Sequence, residues 1–217
     1  MPVHGQDTGQ NRNMLSTLSV APITLRGRIV QLEPLSQDHA EGLLAAAQNE
    51  RIWKYLTVPQ PKTVDEIRTF IQSALDHQAS GQHLPFNVRT LADNRIVGTT
   101  RYLDIRPFDL ALEIGWTWYA ADAQRTGVNT ECKFLLLEHA FETLGCRRVQ
   151  LKTDALNERS RAAIERIGAK FEGILKQYQR YWHGAQRDTA MYAITSEDWG
   201  EVKSHLTQLK GKAQRAT

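Results

Sequence analysis

A chain of 217 residues with 41% hydrophobic and 24% charged side chains can build one substantial core without a disulfide framework. Its formal charge of +3, with basic residues scattered among acids except at 147–152 and 159–166, argues against a nucleic-acid partner and leaves that cluster to an anionic ligand or, more simply, a solvated helix face. No apolar run approaches the roughly 18 residues of a membrane span, and the polar start lacks an export-signal pattern, so the expectation is a cytoplasmic protein with no membrane partner.

Residues 1–20 are polar and aperiodic and are expected to form a disordered arm; residues 21–210 are expected to fold as one domain, and 211–217 as a flexible tail. Residues 28–34 read as a strand ended by Pro34, and Ser36 precedes a helical stretch to about Asn49. Thr63 and Glu66 have capping-box spacing, with Ile67, Phe70, Ile71 and Leu75 at helical intervals behind them. Strands follow at 84–91, 95–104 and 111–119, the first two joined by a tight turn at 92–94.

An amphipathic helix over 131–144 closes at Gly145. A strand at 147–153, a helix at 157–167 stopped by Gly168, and strands at 170–181 and 188–195 come next. A last helix runs over 196–209 with Ser196 as its cap, and its Trp199, Val202 and Leu206 serve packing or, less simply, a homodimer. The order predicts an α/β chain with a mixed, twisted sheet and helices on both faces.

The most informative stretch is 116–139, where a strand gives way through Gln124, Arg125, Thr126, Gly127, Val128, Asn129 and Thr130 to a helix. Amides at a helix start point one way and carry partial positive charge, which suits a diphosphate. About thirty residues on come Asn157, Arg159, Ser160 and Arg161, then Ile167-Gly168 and Phe171-Glu172-Gly173.

Together these segments resemble the GNAT superfamily, specifically its Rim-type branch of ribosomal-protein N-terminal acetyltransferases. The likeness covers residues 23–195 and is strongest over 112–187. It implies the GNAT acyl-CoA N-acyltransferase fold, a mostly antiparallel sheet with two strands splayed around acetyl-CoA, and no metal. Gln124, Arg125, Thr126, Gly127, Val128, Asn129 and Thr130 match the pyrophosphate loop, with Asn129 departing from the usual Gly or Ala. Thr130 and Glu131 are expected to open the helix and lend amides to the phosphates.

By the same resemblance Asn157 bonds the pantetheine arm and Ser160 protonates the departing thiolate, while Arg159 and Arg161 are weaker matches for the 3′-phosphate. Glu113, in a Leu-Glu-Ile-Gly-Trp run, is the candidate base. Main-chain amides near Trp116 and Trp118 are the candidate oxyanion donors. Trp53 and Tyr55 fall where the family places its acceptor loop, whereas Phe86 and Tyr102 read more simply as core.

The resulting expectation is direct attack of an amine on the thioester in a ternary complex. Cys132 and Cys146 are expected to be reduced core residues, and His139 a surface or packing residue. The acceptor implied is a protein N-terminus, with a small-molecule amine next, and succinyl-CoA in place of acetyl-CoA favoured by any cation near the acyl pocket. A non-catalytic CoA-binding module is the rival of another class.

Overall fold

The computed structural model describes residues 17–213. Most of the expected arm lies outside that range, but Leu18 is buried and its amide donates to the Pro107 carbonyl at 3.3 Å. The core therefore takes in part of the stretch that composition assigns to the arm. At the other end the last helix continues through Ala213 into the expected tail.

The elements are β1 (Leu25–Arg26), β2 (Val30–Pro34), α1 (Ala40–Ala46), α2 (Val64–Ala79), β3 (Leu84–Thr90), β4 (Ile96–Arg106) and β5 (Ala111–Tyr119), then α3 (Val128–Glu138), β6 (Arg148–Asp154), α4 (Glu158–Arg166), β7 (Lys170–Arg180), β8 (Gln186–Thr195) and α5 (Trp199–Ala213). The strands form one sheet in the order β1-β2-β3-β4-β5-β6-β8-β7. Every neighbouring pair is antiparallel except β5 with β6. Helices α1 and α2 lie against β4 and β3, and α3 lies against β1, β2 and α5. The expected mixed, mostly antiparallel sheet with flanking helices is what forms.

Local chemistry explains most boundaries. The Thr63–Glu66 capping box is present, with Thr63 Oγ1 accepting from Glu66 N at 3.2 Å. The helix expected over 36–49 is shorter. Ser36 caps a single 3₁₀ turn, with His39 Nδ1 in the reciprocal position, and α1 stops at Ala46. Just beyond it the Trp53 indole N–H takes the Ala47 carbonyl at 2.9 Å, a bond available only to a chain that turns back there. The last helix starts at Trp199 and not at Ser196, because the Asp198 carbonyl accepts the first helical bond, from Val202 N at 3.0 Å.

Helix α3 starts three residues earlier than its apolar periodicity predicts. Thr126 Oγ1 accepts from Val128 N at 3.2 Å, and Gly127 then stands at the N-cap. Glu131 therefore does not open the helix. Its amide already bonds Gly127 O at 3.0 Å, and its buried carboxylate accepts from Ile29 N (2.7 Å) and Val30 N (3.0 Å). Glu131 ties the start of β2 to α3.

Trp199, Val202 and Leu206 are buried, and the Trp199 ring stacks 5.2 Å from Phe141, so they pack inward and offer no surface for a homodimer. His139 is likewise a packing residue, buried and stacked on Tyr102.

Candidate active site

One backbone irregularity organises the site. Thr99 pairs with Trp118 and Arg101 with Gly115, so Thr100 alone opposes both Trp116 and Thr117. This is a β-bulge, and Trp116 takes a φ of 50° that a bulky side chain seldom adopts. The bulge is braced on both strands. The Arg101 guanidinium lies between the rings of Trp116 (4.7 Å) and Phe70 (4.9 Å). On β4, a Cβ at Gly98 would meet the Trp118 carbonyl at 2.1 Å, so only glycine allows the strands this close.

Ahead of the bulge β5 already leaves β6. Their parallel ladder covers Ala111↔Arg148, Leu112↔Val149 and Glu113↔Gln150 and goes no further, although both strands continue. A cavity of about 1140 Å³ opens there, lined from β5 by Glu113 through Tyr119 and from β6 by Leu151, Lys152 and Thr153. The α3 start and α4 close its other walls.

On the loop side, Gln124, Arg125, Thr126, Gly127, Asn129 and Thr130 all line the cavity. Neither Asn129 N nor Thr130 N meets a backbone acceptor among the described residues, as the second and third amides of an α-helix should not. Two free donors and the positive end of the α3 dipole suit an anion. Gly127 has φ −70°, open to any residue, so no backbone conformation demands glycine there.

The side chains of this loop do other work. Gln124 donates to the Tyr119 carbonyl at 2.8 Å and accepts from Arg159, which braces the loop to β5 and α4. Thr126 Oγ1 donates to Ala123 O at 2.7 Å. Val128 departs from expectation: its side chain is buried in the core and its amide is already taken by Thr126, so it contributes neither. Arg125, held at φ 63°, shares a side pocket with Arg51 and Arg159, three cations at the outer mouth.

Helix α4 presents its N-terminus to the same cavity. Asn157 caps it, its Oδ1 accepting from Ser160 N at 3.1 Å, and Asn157 and Ser160 both line the cavity. The amide end of Asn157 remains for a ligand. Arg159, Ala163 and Arg166 follow along the same helix face. Arg161 turns the other way, donating to Tyr192 OH at 3.0 Å, and does not line the cavity.

Glu113, nine-tenths and more buried on the opposite face of the sheet, is held by Lys152, whose Nζ lies 2.8 Å from Oε2. Burial pushes the Glu113 carboxyl up from its usual range, and Lys152 partly opposes that. A carboxyl whose pKa is raised is, once ionised, a stronger base than an exposed carboxylate.

Tyr55 lines the cavity beside Lys54. Trp53 does not. It is buried, its ring 5.2 Å from Trp118 and its N–H spent on Ala47, because an indole inside a core needs both an apolar surround and an acceptor. Phe86 and Tyr102 are fully buried and pack edge to face at 5.7 Å, as core residues. Cys132 and Cys146 are buried, and desolvation pushes both thiols up to about 12, too high to supply a thiolate nucleophile.

Lys133, Gln179 and Arg187 line the cavity without having been singled out by the sequence, whereas Lys152 and Arg166 belong to the basic stretches 147–152 and 159–166. Lys133 sits in α3 one turn below the amides, fully within the protein, its Nζ donating to Thr117 Oγ1 at 2.9 Å. Arg166 stands seven positions after Arg159 and so on the same helical face. No helix among the described residues is long and apolar enough to cross a membrane.

Comparison with known proteins agrees with this geometry. Residues 30–170 match the family model described as an acetyltransferase (GNAT) domain. A GCN5-related N-acetyltransferase from Brucella melitensis superposes with a TM-score of 0.85 at 29% identity, over 92% of this chain and 90% of that one. YdaF of Bacillus subtilis (strain 168), provisionally named a ribosomal N-acetyltransferase, is 27% identical over 77% of this chain and 90% of its own length. The self-immunity acetyltransferase MccE, solved with acetyl-CoA and AMP, shares the fold at a TM-score of 0.69 and 21% identity, over 78% of this chain and 93% of its own. The chain belongs to the GNAT acetyltransferase family, and it is an N-acetyltransferase.

Proposed function

We propose that the chain moves the acetyl group of acetyl-CoA to the amine at a protein or peptide N-terminus, by direct attack within a ternary complex. The observation that carries this reading is the early end of the β5–β6 ladder at Glu113↔Gln150. It leaves the β6-facing backbone of β5 open along a cavity that also receives the α3 amides, Asn157 and Ser160. A strand edge with free peptide groups is what an amide-containing arm such as pantetheine pairs with.

Acetyl-CoA supplies an activated acyl group on a thiol leaving group. The amides of Asn129 and Thr130 hold the diphosphate, helped by Arg125, Arg159 and Arg51 at the mouth. The Asn157 carboxamide orients the arm. Main-chain amides near Trp116 and Trp118 face the charge that develops on the thioester oxygen. The bulge presets them, so little reorganisation remains for the reacting state.

Glu113, on the acceptor face, takes the proton that the incoming ammonium must lose before it can attack. Ser160, on the cofactor face, donates a proton to the departing thiolate. Holding amine and thioester together accounts for much of the rate. With both thiols held near 12, a covalent acyl-cysteine has no nucleophile to form on. The N-terminal acceptor rests on the likeness to YdaF and on Tyr55 and Lys54, which flank the acceptor side of the cavity.

The deciding experiment is an acceptor screen read by mass spectrometry, with acetyl-CoA and succinyl-CoA side by side and peptides and small amines as acceptors. Acetylation of peptide α-amines is the expected result. Turnover confined to small amines would overturn the acceptor assignment and leave the N-acetyltransferase assignment standing.

A further inference from the structure

Helix α3 is buried and apolar from Cys132 to Leu137 with one exception, Lys133. That residue is only 6% exposed, yet it lines the cavity. Of its three N–H donors one is spent among the described residues, on Thr117 Oγ1 at 2.9 Å. It makes no ion pair among the described residues, and Glu113, the carboxylate whose charge acts on it, is held by Lys152 at 2.8 Å. A buried charge without a counter-ion costs stability, so its place on a cavity wall points to a ligand group that carries negative charge.

The hydrogen bond says where on the wall the ammonium stands. Thr117 belongs to the bulge, and its hydroxyl also meets Thr100 Oγ1 at 2.7 Å, from the residue opposite on β4. Both strands of the bulge therefore moor Nζ. A threonine hydroxyl is three bonds from its own amide nitrogen, which puts Nζ within roughly 7 Å of the Thr117 amide. A ligand oxygen about 3 Å from each donor fits between them. The free amides of Asn129 and Thr130 lie a turn away on α3, and the mooring on β5 directs Nζ to the bulge and not to them.

Resting on the acetyl-transfer reading, we infer that Lys133 is a further catalytic residue, whose ammonium stabilises the negative charge that develops on the thioester oxygen alongside the main-chain amides of the bulge. As the amine nitrogen bonds to the acyl carbon, the carbonyl electron pair moves onto oxygen, and it returns as the carbon–sulfur bond breaks. Lys133 donates a hydrogen bond and keeps its protons throughout, so proton transfer stays with Glu113 and Ser160. Burial lowers the Lys133 pKa only to about 8, so the side chain carries its charge at neutral pH. Inside a low-dielectric wall that charge acts on the oxygen far more strongly than an exposed one would.

The test uses the full chain and two readouts. Lys133→Met removes the charge, keeps most of the bulk and relieves a buried cation, so it is expected to fold. Its kcat for amine acetylation should fall by about 10²–10³, the loss for one oxyanion donor, with the CoA affinity from calorimetric titration nearly unchanged. The second readout needs no turnover. Acetyl-CoA labelled at its carbonyl carbon is bound without an amine, and isotope-edited infrared spectra give the carbonyl stretch. The wild-type protein should shift that band to lower frequency, and Lys133→Met should lose a large part of the shift. Thr117→Val, which cuts the mooring and leaves the charge, should fall between the two in both readouts.

An unchanged band and unchanged kcat in Lys133→Met would overturn the inference. So would a large loss of CoA affinity at constant kcat, which would hand the ammonium to the diphosphate. Should Lys133→Met fail to fold, Thr117→Val decides, and wild-type values there would overturn the inference too. A band shift that depends on Lys133 in a protein that acetylates no amine would sink the acetyl-transfer reading and keep the contact between Lys133 and the carbonyl.

Discussion

Lys152 Nζ lies 2.8 Å from Glu113 Oε2, two residues beyond the point where β6 stops pairing with β5. The ion pair bridges the two strands where their backbones part. Burial raises the carboxyl pKa, and Lys152 only partly offsets that.

Glu113→Gln should lower kcat by about 10²–10⁴, the usual worth of a positioned base. Lys152→Met removes the cation that favours the charged form, so the Glu113 pKa should rise further and the acid limb of kcat/KM should move to higher pH. A pH profile of both variants checks this. An unshifted limb in Lys152→Met would assign that limb to another group.

Gly127→Trp should abolish binding of acetyl-CoA while the fold persists. The position is helical in φ, so the side chain is tolerated by the backbone and projects into the space before the free amides. Calorimetric titration with CoA is the check. Unchanged affinity would remove the loop from the cofactor site.

Ser160→Ala should reduce kcat by roughly ten- to a hundredfold with little change in CoA affinity. The Asn157 cap survives, since it uses the Ser160 amide and not its hydroxyl. Single-turnover rates separate this from a folding defect; full activity would take the proton-donor role from Ser160.

Lys133 is a buried cationic side chain whose one hydrogen-bond partner among the described residues is a hydroxyl, and burial pushes its pKa down from 10.5 to about 8. The unfolded chain holds that proton more tightly than the folded one. The penalty on stability is full below pH 8 and is relieved as pH rises from about 8 toward 10.5. Lys133→Met should raise stability at pH 7 by about 1–3 kcal/mol and flatten the alkaline rise. Urea midpoints at pH 7 and pH 9.5 check both.

Much of the architecture was legible from local chemistry. The Thr63 box, the 2- and 3.6-residue periodicities and the Gly145 stop place helices and strands close to where they form, because each signal is spent within one or two turns of chain. The loop at 124–130 was legible for the same reason, since a helix start makes its own anion site. Trp53 and Val128 misled because burial depends on what folds back over them. Glu131 misled because its partners, Ile29 and Val30, lie about a hundred residues away.

By itself the sequence determined the family, the order of most elements and the strand-to-helix turn at 124–130, all of which rest on neighbours along the chain. Only the tertiary structure decided where β5 parts from β6 and which charges meet there. Glu113, Lys152, Gln179 and Arg187 come from four strands, and no spacing in a one-dimensional pattern encodes a sheet order that places β8 between β6 and β7. The electrostatics of the acceptor face arises from that order and from burial, and neither is a property of any single segment.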